Sequence, residues 1–252
     1  MKLAILIPTT SKNRPWTTFQ ETYLYNLTIR SYLQTYSFEY NDNPLETIFY
    51  FGYDEDDTVW GKEQQRKGVE RFLNIMNNIN CQFISMKGIE KGYLTKMWNR
   101  LFKIAYEDEC DYFFQCGDDI RFRTQEWVPA CISTLQQNND IGLTGPINNN
   151  SRILTQAMVS RKHMDIFGFF FPEEIVNWCC DDWYNYVYKP DFFYPLLKHL
   201  CTNEGGEERY DINGDPKFRA FHVRDKVNQL RKNTFALAQT HRTCILNYLM
   251  NK

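Results

Sequence analysis

The chain has 252 residues, of which 43% are hydrophobic, 24% charged and 16% aromatic, and its formal net charge is -2. This length can bury a full core in one large domain or two small ones. A pI near 6.1 argues against nonspecific nucleic-acid binding, which needs a basic surface. Because no apolar run reaches about 18 residues and the N-terminus lacks a signal-peptide pattern, we predict a cytoplasmic protein without a transmembrane segment.

The cysteines are scattered along the chain, with one adjacent pair, Cys179 and Cys180, and no CxxC motif. A structural zinc site needs closely spaced pairs of ligands, and a secreted disulfide framework would normally come with a signal peptide. We therefore predict reduced thiols, most of them buried as small hydrophobic side chains.

Short apolar runs closed by polar turns predict buried strands, and amphipathic segments between them predict helices. The strands are predicted at 2–8, 46–54, 81–86, 110–116 and 141–145, and the helices at 17–36, 61–77, 92–108 and 124–137. This alternation is typical of a mostly parallel sheet with right-handed crossovers. The remainder contains no linker or repeat, so we predict that it packs on the same sheet and closes with a helix from about 218.

Three polar loops follow predicted strands: PTTSKNR after the first, DEDD after the second and GDD after the fourth. Ligands of parallel sheets bind beyond the carboxyl ends of the strands, so these loops should meet at one edge. The first loop offers two hydroxyls with Lys12 and Arg14, which suit a nucleotide or its phosphates. It lacks the glycine motifs of P-loop and dinucleotide-binding proteins.

The adjacent acids Asp118 and Asp119 end an aromatic strand in the stretch FFQCGDDI. Two neighbouring carboxylates repel each other unless a cation or solvent screens them. A solvated turn is the simpler interpretation, since Asp is common in turns. The apolar flanks and the two neighbouring polar loops favour a Mg²⁺ or Mn²⁺ site shared with a substrate diphosphate.

Taken together, these segments resemble a glycosyltransferase of the GT-A fold, of the family 2 type. AILIPTTSKNRP resembles the nucleotide-binding strand and loop, YFGYDEDD the second strand with its base-contacting acid, and GYLTKMWNRLFKIAYEDECDYFFQCGDDIRF the helix that leads into the DxD strand; IGLTGP resembles a later strand. The similarity spans roughly residues 2–200. It implies an α/β, Rossmann-like single domain over 1–252, with a nucleotide-sugar half (1–120), an acceptor half (121–217) and a C-terminal helical segment (218–252).

The resemblance implies a metal-dependent transfer of a sugar from a nucleoside-diphosphate sugar to a hydroxyl of a glycan or other acceptor, with inversion and with Mn²⁺ or Mg²⁺ as cofactor. UDP is the family's usual nucleotide, and GDP and dTDP stay open. A nucleotidyltransferase acting on a sugar phosphate is one alternative, although the first loop contains no glycine. A non-catalytic carbohydrate-binding relative is another, because Gly117 stands where a three-acid motif would begin.

Carried over residue by residue, the resemblance implies that Asp119 binds the metal and that Asp118 contacts the ribose or the metal. Expected nucleotide contacts are Pro8, Thr9, Thr10, Arg14 and Asp54, with Lys96 and Asn99 as weaker candidates. Either Asp56 or Asp57 could take the place of Asp54.

In the family, a late carboxylate serves as the general base. The stretch NWCCDDWYNYVY supplies Asp182, which we prefer, and Asp181; a helix N-terminus also favours acids without any catalytic role. The family often completes its metal shell with a histidine, here His199, with His222 as the competitor. Trp178, Trp183, Tyr184 and Tyr186 flank the acids and could form a sugar platform or simply pack in the core.

The composition is rich in Asn, Ile, Lys and Tyr, which favours an AT-rich genome. A large DNA virus would fit that composition, and the protein would then act in the host cytoplasm.

Overall fold

The computed structural model describes residues 1–37, 39–205 and 224–251. The strands are β1 (Lys2–Pro8), β2 (Glu39–Tyr40), β3 (Asn43–Pro44), β4 (Glu46–Tyr53), β5 (Ile79–Ser85), β6 (Tyr112–Gln115), β7 (Ile120–Phe122), β8 (Leu143–Ile147), β9 (Ala157–Ser160) and β10 (Phe193–Asn203). The α-helices are α1 (Arg30–Thr35), α2 (Glu63–Leu73), α3 (Leu94–Glu107), α4 (Trp127–Gln137), α5 (Lys162–Phe167), α6 (Cys180–Tyr188) and α7 (Arg224–Met250).

Eight of these strands form one sheet in the order β5-β4-β1-β6-β9-β8-β10-β7, and β2 and β3 form a separate hairpin. Within the large sheet, β9 and β7 run antiparallel to their neighbours and the other pairings are parallel. This confirms the predicted α/β class with a mostly parallel central sheet. Strands from the second half of the chain belong to the same sheet as β1, as expected for an elaboration packed on it.

The central strands are apolar throughout because helices cover both faces of the sheet. Successive side chains of a strand point to opposite faces, so Ala4 and Leu6 join one apolar layer while Leu3 and Ile5 join the other. Burying one such large side chain contributes about 1.5–3 kcal/mol relative to exposure. The two layers therefore fix the register of the sheet, and with it the positions of the loops that follow each strand.

The segment predicted as one helix at 17–36 is divided instead. It has a 3₁₀ turn at Phe19–Glu21 and a π-helical stretch at Leu24–Ile29 before α1 begins. Thr28 Oγ1 accepts a hydrogen bond from Ile120 N at 3.0 Å, and Ser31 Oγ accepts one from Phe122 N at 3.0 Å. These two hydroxyls supply partners for the backbone of β7, so the irregular helix secures the chain just after Asp119.

Several other elements differ from the sequence predictions. Strands β7, β9 and β10 are absent from the sequence predictions. The predicted start of the closing helix, at about 218, lies outside the described residues, which resume at Arg224 within α7. All the cysteines are free thiols, and all but Cys81 and Cys244 are buried, which confirms that prediction. Among the described residues, no helix combines the length and the apolar character needed to cross a membrane.

Candidate functional site

The loops after β1 and β6 meet because these strands are neighbours in the sheet. Pro8 ends β1, and Thr9 Oγ1 then donates a hydrogen bond of 2.7 Å to Asp118 Oδ2. The backbone N–H of Thr10 reaches the same oxygen at 3.4 Å. Asp118 is only 2% exposed, so these donors compensate for the burial of its carboxylate. The structure thus brings together Pro8, Thr9, Thr10 and Asp118, as predicted.

Asp57 connects the loop after β4 to the loop after β1. Its carboxylate accepts hydrogen bonds from Thr10 Oγ1 at 2.8 Å, Ser11 N at 2.7 Å and Ser11 Oγ at 2.5 Å. It also accepts from the backbone N–H groups of Val59 at 3.0 Å and Trp60 at 2.8 Å. With both oxygens occupied by the protein, Asp57 holds the first loop in place and is poorly suited to replace Asp54 as a nucleoside contact.

The two other acids of the DEDD loop have different surroundings. Asp56 is exposed and forms an ion pair with Lys91, so its carboxylate is poorly suited to bind a nucleoside. Asp54 is partly buried immediately after β4, at the carboxyl edge of the sheet. Asp54 remains the best placed of the three for the predicted contact.

Asp119 lies where the β6–β7 turn meets the end of β10. Asn203 Nδ2 donates to Asp119 Oδ1 at 3.3 Å, and Glu204 N donates to the Asp119 carbonyl at 2.9 Å. Gly205 packs directly on the carboxylate, since a Cβ at this position would lie 2.1 Å from Asp119 Oδ2. Arg14 Nη2 donates to the Gly205 carbonyl at 3.4 Å, so the predicted Arg14 also borders this corner.

A cleft of about 440 Å³ lies beside Asp119. Its lining contains two carboxylates among neutral side chains that are mostly amides: Trp98, Gln115, Gly117, Asp119, Asn149, Asn150, Thr155, Gln156, Asp181 and Asn203. Gln156 Oε1 accepts a hydrogen bond of 2.8 Å from Gly117 N, which connects the start of β9 to the acidic turn. The cleft is therefore lined by two acids, Asp119 and Asp181, together with neutral hydrogen-bonding groups.

Asp181 is the second acid, in the first turn of α6. It is reached by Gln115, the last residue of β6, whose Nε2 donates to Asp181 Oδ1 at 2.8 Å. Desolvation by burial raises the pKa of Asp181 from 3.8 to about 7, and the Gln115 hydrogen bond acts in the opposite direction. A carboxyl group with a pKa near neutrality is well matched to accept a proton during catalysis.

Asp182, the preferred base from the sequence, has a different environment. It is 5% exposed and forms an ion pair with Arg152, outside the lining of the cleft. Successive residues of an α-helix point about 100° apart, and of these two neighbouring acids Asp181 lines the cleft while Asp182 does not. Because Asp181 lines the cleft and Asp182 pairs with Arg152, the geometry favours Asp181 over Asp182, and the choice of base stays a prediction.

Lys96 and Asn99, the weaker nucleotide candidates on α3, have protein partners away from the acidic turn. Lys96 Nζ lies 3.6 Å from Glu173 Oε2. The Asn99 amide donates to the carbonyl of Phe171 at 2.9 Å and accepts from the N–H groups of Phe170 and Phe171 at 3.1 and 2.8 Å. The Asn99 amide thus holds the backbone of residues 170–171, which makes it a poor candidate for the predicted nucleotide contact.

His199 does not reach the acidic turn. It lies on β10 four residues before Asn203, the residue that contacts Asp119. At about 3.3 Å per residue, this spacing corresponds to roughly 13 Å along the strand. The described residues contain no group of three or more His, Cys, Asp or Glu side chains able to hold a metal ion, so His199 is not brought into a metal site. The competing His222 lies outside the described residues.

The donor set still fits a cation that binds together with a diphosphate. Mg²⁺ usually retains waters and binds through one or two carboxylates plus substrate phosphates. Asp119 supplies one such carboxylate at the cleft, and Asp118 lies next to it in the chain. The residues present therefore suit a shared metal–diphosphate site better than a closed site built from protein ligands alone.

The aromatic platform expected around the acids is only partly available. Trp183 and Tyr184 are fully buried and belong to the apolar layer of the core. Trp178 is 44% exposed, and Tyr186 is partly buried. Trp183 and Tyr184 therefore pack in the core and are not exposed for stacking on a sugar.

The sequence interpretation missed the neutral lining of the cleft. Asn149 and Asn150 follow β8 directly, so the strand-end rule used for the first three loops also applies to the stretch PINNN. Gln115 closes an otherwise aromatic strand, which marks it as unusual. Gln156 and Asn203 belong to strand ends that could not be found without β9 and β10.

No family model matches the sequence, and no curated protein is similar to it. Among solved structures, S. aureus TarS 1-349 is similar, with a TM-score of 0.57 and 14% identity over 98% of this chain and 71% of that chain. Its complex with UDP gives a TM-score of 0.55 at 14% identity, over 100% of this chain and 72% of that chain. The complex with UDP-GlcNAc gives 0.54 at 14% identity, over 96% and 72%.

A longer TarS crystal structure also matches with a TM-score of 0.52 and 15% identity over 79% of this chain, and this chain covers 36% of that one. At identities this low, the likeness shows a shared fold and nothing more, and the TM-scores above 0.5 support that fold. The GT-A-like arrangement of a single, mostly parallel sheet is therefore common to both proteins.

Proposed function

We propose that this protein is a metal-dependent glycosyltransferase that uses a nucleoside-diphosphate sugar, with UDP as the nucleotide. The observation that carries the proposal is the cleft at the carboxyl edge of the sheet, which is lined by Asp119 and by Asp181, whose pKa is near neutrality. TarS, which shares the fold, has been solved with UDP and with UDP-GlcNAc bound. That likeness supports a UDP-sugar donor over GDP or dTDP.

The donor would lie along the loops after β1, β4 and β6. Asp54 is positioned to contact the base, and the Thr9–Asp118 pair to contact the ribose or diphosphate. Arg14, beside Gly205, offers a guanidinium for phosphate oxygens. Asp119 would hold a Mg²⁺ or Mn²⁺ ion, whose chemistry is to neutralise charge on the departing nucleoside diphosphate.

The reaction needs a base for the acceptor. The acceptor hydroxyl oxygen forms a bond to the anomeric carbon while the bond from that carbon to the diphosphate oxygen breaks, and the hydroxyl proton moves to the Asp181 carboxylate. Attack opposite to the leaving group inverts the anomeric configuration. The leaving UDP carries away the electron pair of the broken bond.

The lining also indicates the chemistry of the acceptor. Asn149, Asn150 and Thr155 provide neutral donors and acceptors of the kind that bind hydroxyl groups. The ionised Asp181, proposed to take the acceptor proton, would repel an anionic group placed beside it. We therefore expect a neutral, hydroxyl-rich acceptor such as a glycan.

The test compares Asp181→Asn with its matched neighbour Asp182→Asn in an assay of UDP release and sugar transfer. Loss of a general base typically costs about 10² to 10⁴ in rate, so Asp181→Asn should lose turnover while calorimetry shows retained UDP binding. Asp182→Asn removes a charge that pairs with Arg152 and should keep most of its turnover when folded. Full turnover by Asp181→Asn would reject the assignment.

The same assay separates the two alternative functions. Release of pyrophosphate from a nucleoside triphosphate with a sugar phosphate would identify a nucleotidyltransferase. UDP-sugar binding with neither hydrolysis nor transfer would identify a non-catalytic binding protein.

A further inference from the structure

Gln115 makes two contacts that fix the orientation of its amide. Its Nε2 donates to Asp181 Oδ1 at 2.8 Å and to the carbonyl of Thr155 at 3.3 Å. A backbone carbonyl can only accept a hydrogen bond, so the NH₂ group has to face this side. The amide oxygen consequently faces away from both partners.

Packing alone does not explain an amide at this position. Gln115 is 2% exposed and follows Tyr112, Phe113 and Phe114, which are buried with it. Its Oε1 is buried with no hydrogen-bond partner among the described residues. A buried oxygen without a partner is unfavourable, whereas a methionine or leucine would fill the same space without that loss. The contact with Asp181 is the feature that an apolar side chain could not supply.

The hydrogen bonds of the Asp181 side chain with the part of the chain that the structure describes all reach one carboxylate oxygen, Oδ1. The hydrogen bond from Gln115 reaches Oδ1, and the Cys180 thiol, at 3.9 Å, reaches the same atom. We propose that Gln115 is a positioning residue for the general base: it holds Asp181 by Oδ1 and so directs Oδ2 toward the acceptor hydroxyl. This inference rests on the proposed glycosyltransferase function, and it adds a residue that the resemblance did not assign.

Other charged or titratable groups also act on Asp181. The neighbouring Asp182 raises its pKa, whereas Arg152 and the Cys180 thiol lower it. Tyr184 on α6 interacts with it electrostatically, and Asp119 lines the same cleft. A substitution at Gln115 leaves all of these groups in place, so a change in the titration of Asp181 reports the lost hydrogen bond.

The experiment uses two variants of Gln115 that preserve its length. Gln115→Met removes the hydrogen bond, which should lower kcat about 10- to 100-fold, the factor typical of a hydrogen bond to a charged group. The KM for the UDP-sugar should stay within about two-fold, and the acidic limb of the kcat profile should move up by about one pH unit. Gln115→Glu places a second carboxylate beside Asp181 and should move this limb further still.

Gln82→Met is the matched control. Gln82 on β5 makes a similar contact, with Nε2 at 2.8 Å from Asp108 Oδ2, but it is exposed and is not part of the cleft. This variant should keep the kcat, the KM and the pH profile of the unchanged protein. Melting temperature and UDP binding, measured for every variant, identify any that fails to fold.

A ¹³C NMR titration of the Asp181 carboxyl group, assigned by its loss in Asp181→Asn, gives a readout independent of turnover. An upward shift of its pKa in Gln115→Met together with the kinetic changes supports the proposal. Unchanged kcat and unchanged Asp181 titration in a folded Gln115→Met protein overturn it. If the unchanged protein neither transfers nor hydrolyses any UDP-sugar, the glycosyltransferase function fails instead, and the titration alone then decides whether Gln115 controls Asp181.

Discussion

Asp181→Asn should make the protein more stable while it removes the proposed base. The Asp181 carboxyl group is desolvated, and its pKa rises from 3.8 to about 7 in the folded chain. The native state therefore binds this proton more tightly than the unfolded state does. Stability from this group is fully present below the unfolded pKa and is lost as the pH rises toward the folded pKa. At neutral pH and above, the ionised Asp181 thus opposes folding.

The size of this effect follows from the two pKa values. A shift of about 3 pKa units corresponds to roughly 4 kcal/mol of lost stability once both states are ionised. The same relation gives a loss of about 1.7 kcal/mol at pH 5, because the unfolded chain is already largely ionised there. Asparagine carries no charge, and its side-chain oxygen can still accept the hydrogen bond from Gln115.

The assay is urea denaturation of the unchanged protein and of Asp181→Asn at pH 5 and pH 8.5. We expect the variant to be more stable at both pH values, with an advantage about 2–3 kcal/mol larger at pH 8.5. Asp182→Asn serves as the control, because it leaves Arg152 without its ionic partner and should lower the stability. An Asp181→Asn protein that is less stable at pH 8.5, or whose advantage is independent of pH, would show that Asp181 is not held in a desolvating site.

Three further predictions follow from the same geometry. Asp119→Ala should lower the affinity for UDP at least about ten-fold in the presence of Mn²⁺ and leave the metal-free affinity unchanged by calorimetry; equal losses in both conditions would argue against a metal role. Asp57→Ala removes the acceptor of five hydrogen bonds and should lower the free energy of unfolding by about 2–4 kcal/mol. Asp56 is an exposed partner of Lys91, so the control Asp56→Ala should lower the free energy of unfolding by less than about 1 kcal/mol. Burial lowers the pKa of His163 from 6.5 to about 3, so stability is lost as the pH falls below 6.5. In urea denaturation, His163→Gln should reduce the loss of stability between pH 7 and pH 5 by about 2 kcal/mol. An unchanged pH dependence in this variant would contradict the burial argument.

The first half of the fold was accessible from the sequence because its signals are local. The runs that form β1, β4 and β6 are continuous and apolar, as required for strands covered on both faces. Their carboxyl ends then had to meet at one edge, and at that edge Thr9 lies within hydrogen-bond distance of Asp118. Strands of the second half were harder to predict. β9 has only four residues, and β10 contains charged residues and is half-exposed.

The choice between Asp181 and Asp182 depended on contacts that the local pattern does not contain. Both acids lie in the first turn of α6, which begins after Cys179 in a left-handed conformation with φ of 69°. The direction in which each acid points is decided by the packing of the helix. The partner of Asp182 is Arg152, thirty residues away, and the partner of Asp181 is Gln115, on a strand in the other half of the chain.

The amide lining of the cleft illustrates how the sheet order determines the site. Strand β9 runs antiparallel to β6 and pairs Gln115 with Ala157, so the residues just before β9 arrive at the same edge as the residues that end β6. Had β9 been parallel, Gln156 would lie at the opposite edge and could not accept the hydrogen bond from Gly117. The reversal of a single strand thus brings amides from the acceptor side next to the acidic turn. Because strand direction is set by pairing partners far away in the sequence, no local pattern could have assigned these residues to the cleft.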